Sequence, residues 1–200
     1  MIRLLAILLL APLLPLGAQN KDVPRNQPDN LSYTADGLMR FPERYREWIY
    51  ITSGLDMSYT ATGTPDHHMF DNVFVNPASY RSFLETGTWP DRTVFVLEVR
   101  GAESGVSINQ RGHTQSAEVM GLEVHVKDRT LPGGFGFFEF DERHAPAKMV
   151  ARPASCYSCH EAHGAVDTTF VQFYPTLIGV AKQKGTIRPE YLKEIATPKN

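Results

Sequence analysis

The chain has 200 residues, with 20 basic and 22 acidic side chains and a formal net charge of −2 at pH 7. This length is sufficient for one domain with its own hydrophobic core. The nearly balanced charge, without a basic patch, argues against a nucleic acid or another polyanion as partner.

The N-terminus has the pattern of a secretory signal peptide. Arg3 precedes an apolar run over residues 4–16, and the small residues Gly17 and Ala18 favour cleavage before residue 19. The run is too short to span a bilayer, although an uncleaved anchor is the competing interpretation. Cleavage after residue 18 would remove only one charged side chain, leaving 19 basic and 22 acidic ones and a charge of −3. We therefore expect a periplasmic or secreted protein that is not held in a membrane.

The segment 19–37 is rich in prolines and amides and poor in apolar residues, which is typical of a flexible leader. A single domain is predicted over residues 38–200. Its first predicted elements are a short helix or turn over residues 41–48, a strand over 48–51, a loop over 52–66 and a strand over 69–75.

A helix is predicted to begin at Asn76 and Pro77, because Asn is a good N-cap and Pro fits the first helical position, and to end at Gly87. Three strands follow, which alternation of apolar and polar residues predicts over residues 93–99, 118–127 and 135–140. In the second of these the alternation puts His125 on a charged face, with Glu123 and Lys127.

The C-terminal part changes to helical periodicity. Apolar residues from Phe170 to Ile178 follow helical spacing, with Asp167 as the predicted N-cap and Pro175 expected to kink or split the helix. A last short helix is predicted over residues 189–196. The predicted fold is α+β, a central antiparallel β-sheet flanked by a few helices.

The strongest functional signal is the segment Cys156-Tyr157-Ser158-Cys159-His160. Two cysteines three positions apart project from one side of a helical turn, where they can add to the two vinyl groups of one haem, and the following histidine can bind the iron. This pattern predicts one covalently attached haem c, with Cys156 and Cys159 as attachment residues and His160 as the axial metal ligand. Its second ring nitrogen is expected to donate to a backbone carbonyl.

Two other interpretations of the same residues are open. A redox-active disulfide between the cysteines is one, although that motif usually lies at the start of a domain and not after its sheet. A zinc site completed by His163 is the other, but it would take all four ligands from eight consecutive residues.

The other axial position of the iron separates a ligand-binding protein from an electron carrier. A carrier usually fills it with a methionine or a second histidine, and no methionine follows Cys159. The favoured interpretation is five-coordinate iron with an open distal site. Possible upstream ligands are Met69, Met120, His67, His68, His113, His125 and His144.

The chain resembles the cytochrome P-460 family, which includes the cytochromes c′-beta. The resemblance implies a largely antiparallel β fold, often a homodimer, with haem near the sheet and an open distal side. The matching segments, in chain order, are Tyr45-Arg46-Glu47-Trp48-Ile49, Val73-Phe74-Val75-Asn76-Pro77-Ala78-Ser79-Tyr80, Thr86-Gly87-Thr88-Trp89-Pro90-Asp91-Arg92-Thr93-Val94, Gly121-Leu122-Glu123-Val124-His125-Val126-Lys127-Asp128, and the cysteine motif with Phe170-Val171-Gln172-Phe173-Tyr174-Pro175.

Two departures from the family pattern bear on activity. The resemblance implies that hydroxylamine-oxidising members bond a lysine to the haem edge, whereas cytochromes c′-beta lack this chemistry and bind gaseous ligands. The position of that lysine aligns with Leu97, which has no nitrogen to form such a bond. Ala154 and Ser155 likewise offer no carboxylate just before the cysteine motif. Both departures argue against hydroxylamine oxidation.

The sequence therefore predicts an exported mono-haem c-type cytochrome that binds nitric oxide, carbon monoxide or a related small ligand. Phe74, Phe95 and Leu97 are the predicted distal wall. An oxidoreductase acting on hydroxylamine or peroxide is the first alternative, and a six-coordinate electron-transfer cytochrome is the second. A homodimer and a redox partner cytochrome are the expected protein partners.

Overall fold

The computed structural model describes residues 31–59, 67–141 and 143–197. The predicted signal peptide and the first part of the predicted leader lie outside these residues. The predicted leader over residues 19–37 includes residues that belong to the fold. Leu31 is 4% exposed in the core, and Tyr33 forms an antiparallel bridge with Met39. No helix among the described residues has the length and apolar character needed to cross a membrane.

An antiparallel sheet of five strands, hydrogen-bonded in chain order, is the centre of the described chain. This confirms the predicted α+β class. The first strand is longer than predicted, because Ser53 and Gly54 continue it by pairing with Asn72 and Asp71. The strands are β1 (Ile49–Leu55), β2 (Met69–Val75), β3 (Thr93–Glu103), β4 (Thr114–Lys127) and β5 (Phe135–Phe140).

Four helices accompany the sheet in the described part of the chain, and the first begins and ends where its sequence predicts. It follows Asn76 and ends at Gly87, whose φ of 75° suits a residue without a Cβ. Asn76 does not cap the helix with its side chain but accepts a hydrogen bond from the Val94 amide at 2.9 Å, which ties the helix to the sheet. The helices are α1 (Pro77–Thr86), α2 (Ser155–His163), α3 (Ile178–Lys184) and α4 (Pro189–Ala196), with short 3-10 turns at Tyr45–Glu47, Pro132–Gly134 and Val171–Phe173.

The helix predicted from Asp167 to Ile178 is wrong over most of its length. The chain there forms a 3-10 turn and irregular backbone, and α3 begins only at Ile178. Pro175 has no N–H to give to a helix, and Asp167 has a φ of 50°, so it is not an N-cap. Phe170, Tyr174 and Leu177 are nevertheless buried, because the same spacing lets the irregular segment cover the sheet, whereas Phe173 is 41% exposed.

The sheet separates two differently covered faces. We call one the N-terminal face; its buried side chains include Val94 and Val96, and they pack against Met39 and Phe41 from the start of the described chain. We call the other the cavity face; it carries Phe95 and is covered by α1, α2, α3 and the segment 164–177. Because successive strand residues point to opposite faces, the side chains on one face can differ in polarity and charge from those on the other.

Candidate functional site

A cavity of about 610 Å³ lies between the cavity face and α2. It reaches both cysteines and the histidine of the motif, and most of its wall is apolar or aromatic. The lining residues are Thr52, Gly54, Met57, Tyr59, Met69, Asp71, Val73, Phe95, Leu97, Val99, Glu123, Val124, His125, Phe137, Ser155, Cys156, Cys159, His160, Phe170, Phe173 and Tyr174.

Helix α2 presents its functional side chains to this cavity together. Cys156, Cys159 and His160 are three and four positions apart, which places them on one side of the helix. Both cysteines are free thiols, so the disulfide interpretation is not realised in this conformation. His163 does not join them, because its Nδ1 pairs with Glu194 at 2.8 Å.

The opposite side of α2 anchors the helix to the sheet. Tyr157 is 2% exposed, its ring packs against Phe135 and Phe137, and its hydroxyl donates to the Val150 carbonyl at 2.8 Å. The guanidinium of Arg152 stacks on the Phe135 and Tyr157 rings at 4.7 and 4.6 Å from their centroids. These contacts fix the rotation of α2 about its axis, and hence the direction of the cysteine side chains.

His160 has one ring nitrogen committed and one available. Its Nδ1 lies 2.7 Å from the Thr168 carbonyl oxygen, which can only accept, so Nδ1 carries the proton. Nε2 is then the unprotonated nitrogen, as a metal ligand requires. Burial lowers the pKa of His160, which keeps the ring neutral near pH 7. The sequence-based expectation of a carbonyl acceptor thus matches the observed geometry.

Hydrogen bonds from the Arg188 side chain to backbone carbonyls position the segment that leads to Thr168. Arg188 donates through Nη1 to the carbonyls of Glu161, Gly164 and Asp167, at 2.8, 3.2 and 3.1 Å. A Cβ on Gly164 would lie only 2.9 Å from the His160 carbonyl oxygen, so this close approach requires glycine.

Asp167 has a structural role different from the predicted one. Its carboxylate accepts from the Lys127 ammonium at 2.8 Å and from the Trp89 amide at 3.3 Å. Lys127 also donates to the Trp89 carbonyl at 2.6 Å. The ion pair therefore fastens the turn that precedes Thr168 to the end of β4.

His125 is the residue whose environment differs most from the sequence prediction. It does not lie on a solvated charged face but lines the cavity, stacked on Phe137 at 4.6 Å and perpendicular to His160 at 5.0 Å between ring centroids. Its Nε2 lies 3.3 Å from the Thr168 hydroxyl. Burial, with His160 adding, lowers the pKa of His125 well below its usual value. The strand alternation predicted the correct face of the sheet for His125. It did not predict that other parts of the chain cover this face.

Of the three residues predicted as distal wall, Phe95 and Leu97 line the cavity. Phe74 does not, and that prediction is wrong. Its ring packs edge-on against Tyr45 and Tyr50, at 5.4 and 5.7 Å, on the N-terminal face. Successive residues of a strand point to opposite faces of the sheet, and it is the neighbouring Val73 that faces the cavity.

Two carboxylates in the cavity were not predicted as functional residues. Asp71 lies on β2 and Glu123 on β4, and both line the cavity. Burial raises the pKa of both, with Asp56 adding at Asp71 and with Glu139 and Asp71 adding at Glu123. The signal was present in the sequence, because Met69, Asp71 and Val73 alternate onto one face of β2.

The candidate upstream ligands are dispersed. Met69 lines the cavity, as does Met57, which the sequence analysis did not consider. His68 pairs with Asp56 at 2.5 Å and stacks on His113, whereas His144 pairs with Glu43 at 2.9 Å. The exposed His67 and Met120 are not among the cavity-lining residues.

Comparison with known proteins gives the family. A search of curated proteins finds no match. The family model described as Cytochrome P460 matches residues 42–171, which include the sheet, the cysteine motif and the acceptor of the His160 hydrogen bond. Members of this family are generally exported, and the family implies a haem cofactor. The chain therefore belongs to the cytochrome P460 family.

Proposed function

We propose that this chain is an exported mono-haem c-type cytochrome that binds small uncharged ligands such as nitric oxide or carbon monoxide. Cys156 and Cys159 would attach the haem through thioether bonds, and His160 would be its axial ligand. The observation that carries the proposal is that both thiols and the unprotonated nitrogen of His160 belong to the wall of one large, mostly apolar cavity.

The residues present fit a haem. The two thiols are free and lie three positions apart on α2, as the two vinyl groups require. Aromatic rings surround His160, with Phe170 and Phe137 at 4.1 and 4.8 Å between centroids. When bound, the haem would supply an iron with one axial position for an exogenous ligand.

The cavity wall favours small uncharged ligands. Phe95, Leu97 and Val99 give β3 an apolar surface toward the cavity. Such a wall offers no strong hydrogen bond to a polar ligand, and burial of an unpaired polar group is costly. Nitric oxide and carbon monoxide avoid that cost because they are small and nearly apolar.

The experiment is expression of the full chain in a host with cytochrome maturation, followed by mass and absorption spectra. We expect a mass increase of one haem that survives denaturation, a high-spin ferric spectrum, and a shift of the ferrous spectrum when carbon monoxide is added. A colourless protein with the mass of the bare polypeptide would overturn the proposal. A low-spin spectrum unresponsive to carbon monoxide would favour the electron carrier, with Met57 or Met69 as the first candidate ligands.

Matched variants separate attachment from ligation. Replacing both cysteines, Cys156→Ser with Cys159→Ser, should abolish covalent haem, whereas His160→Ala should retain the thioethers and lose the high-spin histidine-ligated spectrum. His163→Ala is the control on the same helix, because this exposed side chain pairs only with Glu194. Its spectrum should equal that of the wild type.

A second candidate function is an oxidoreductase acting on hydroxylamine or peroxide. Asp71 and Glu123 favour it, because a carboxylate in the cavity can transfer protons that such reactions require. Leu97, which faces the cavity where the cross-linking lysine aligns, argues against the hydroxylamine reaction. Turnover by the purified haem protein, lost in Glu123→Gln but kept in the control Glu118→Gln, would support this candidate.

Export, a homodimer and a partner cytochrome complete the proposal. Export is supported by the family and by the pattern of residues 1–18. Sequencing the N-terminus of periplasmic protein would test cleavage before residue 19, and sedimentation would test the dimer.

A further inference from the structure

We propose that Asp71 and Glu123 determine the ligand specificity of the cavity by charge, disfavouring anionic ligands while leaving neutral diatomic ligands unaffected. This inference rests on the proposed function, since it concerns ligands of a haem held by His160. It adds specificity-determining residues on the sheet, remote in sequence from the cysteine motif.

The sheet register places the two carboxylates on one face. Asp71 pairs with Val99 and Glu123 pairs with Leu97, and all four residues line the cavity. Only the central strand β3 separates the two acidic side chains. Glu139 is the direct neighbour of Glu123 on β5 and adds a third negative charge at the rim.

Neither carboxylate has a cation to compensate it in the part of the chain that the structure describes. No ion pair includes Asp71 or Glu123, and no lysine or arginine is among the residues that line the cavity. The field also reaches α2, because Glu123 and Glu139 both raise the pKa of the Cys156 thiol, although burial is the larger cause. An anion in this cavity would therefore meet negative charge from the sheet without an opposing positive charge from a described side chain.

The polar donors that the cavity does provide are uncharged. Tyr174 is 7% exposed, lines the cavity and has no side-chain hydrogen bond to another described residue. Tyr59 also lines the cavity, and its pKa is raised by burial first, then by Cys159, and then by Asp71 and Glu123. Burial similarly raises the pKa of Tyr174, so both hydroxyls stay protonated at neutral pH. A phenol can donate to a neutral ligand but cannot neutralise an anion.

The size of the effect follows from Coulomb's law. Two unit charges about 10 Å apart in surroundings with an effective dielectric constant of about 20 repel each other enough to change a binding constant about tenfold. A neutral diatomic ligand has no net charge and should not respond. The ratio between anion and carbon monoxide affinity is therefore the quantity that reports on these carboxylates.

The test uses the haem-loaded full chain, with azide as the probe for the ferric protein and carbon monoxide as the probe for the ferrous protein. Glu123→Gln and Asp71→Asn remove charge with little change of shape, and Glu118→Gln is the matched control on β4 because Glu118, unlike Glu123, does not line the cavity. We expect azide to bind about tenfold more tightly to each variant, and carbon monoxide affinity to change less than about twofold. The reduction potential should also rise in both variants, since the carboxylates stabilise ferric over ferrous iron.

Two results would overturn the inference alone: unchanged azide affinity in both haem-loaded variants, or equal changes for azide and carbon monoxide, which indicate altered packing. A chain that carries no haem overturns the proposed function as well, so the two failures are distinguishable. Each variant is sufficient by itself if the other does not fold, as judged by circular dichroism.

Discussion

Two glutamates on neighbouring strands, Glu98 and Glu123, lie on opposite faces of the sheet and have opposite surroundings. Glu98, only 3% exposed on the N-terminal face, accepts hydrogen bonds from Tyr45, Arg46 and Arg100. Burial alone would raise the pKa of Glu98, but these bonds outweigh it and the pKa is lowered. Glu123, on the cavity face, is exposed and has no such partners among the described residues, and its pKa is raised.

The comparison separates a carboxylate that belongs to the packing from two that do not. On the N-terminal face, two arginines and a tyrosine compensate one buried carboxylate, which makes the group part of the packing. On the cavity face, no cation among the described residues forms an ion pair with Asp71 or Glu123. We therefore connect these two carboxylates with the proposed ligand specificity and not with folding.

The largest effect on stability is expected from removing the carboxylate of Glu98. Glu98→Ala would leave Arg46, Arg100 and Tyr45 without their acceptor, and we expect a loss of about 3 kcal/mol in the free energy of unfolding. Glu123→Gln should change it by no more than about 0.5 kcal/mol. Urea unfolding of both variants gives the measurement. Similar losses in the two variants would contradict the distinction between the faces.

A cation introduced into the cavity should compensate Glu123, as Arg46 and Arg100 compensate Glu98 on the N-terminal face. Leu97 pairs directly with Glu123 across the strands, so Leu97→Arg would place a guanidinium beside that carboxylate. We expect azide affinity to rise about tenfold, as on removal of the negative charge. The double variant with Glu123→Gln should bind azide still more tightly. Unchanged azide affinity in Leu97→Arg would contradict the proposed effect of charge.

The two glutamates should also affect stability with opposite pH dependence. The lowered pKa of Glu98 means that its ionised form stabilises the fold above the ordinary value of 4.5, and that this stability is lost as the pH falls through the lowered pKa. The raised pKa of Glu123 means that its contribution is present below 4.5 and lost as the pH rises through the raised pKa. Relative to the wild type, Glu98→Gln should therefore become less stable as the pH rises from the lowered pKa to 4.5, and Glu123→Gln should become more stable as the pH rises above 4.5. Melting temperatures between pH 3 and pH 7 measure the two slopes, and slopes of the same sign would contradict this assignment.

The smallest effect concerns the phenylalanine that was assigned to the wrong face. Phe74→Leu should leave the carbon monoxide dissociation rate unchanged, because the Phe74 ring packs on Tyr45 and Tyr50 away from the cavity. Phe95→Leu, its counterpart on the cavity face, should change that rate. Flash photolysis of the two haem-loaded variants measures the difference. A changed rate in Phe74→Leu alone would place the ligand on the other face.

Much of the fold could be predicted from local patterns. Alternation identified the strands that carry Phe95 and Glu123, and Asn76-Pro77 with Gly87 identified α1. The segment 167–177 could not be predicted, because its helical spacing of apolar residues also suits an irregular segment that lies on a sheet. Pro175 can either kink a helix or end it, and the sequence alone does not distinguish these outcomes.

The site was predictable to the extent that it is local in sequence. Cys156, Cys159 and His160 form one contiguous motif, so the sequence identifies them directly. Asp71, His125 and Tyr174 come from three distant segments, and only the tertiary fold brings them into the same cavity. Alternation assigned the face of each strand residue, but it does not reveal whether that face meets water, a helix or a cavity.

The acceptor of the His160 hydrogen bond has a consequence for how strongly its ring can donate electrons to a metal. The acceptor is a peptide oxygen, which has no titratable proton and no net charge, whereas a carboxylate acceptor would draw the ring toward imidazolate. Because this acceptor does not titrate, its effect on the basicity of Nε2 does not change with pH. A ligand set in this way is suited to holding gases reversibly, because it lacks the strong electronic push that drives cleavage of an oxygen–oxygen bond.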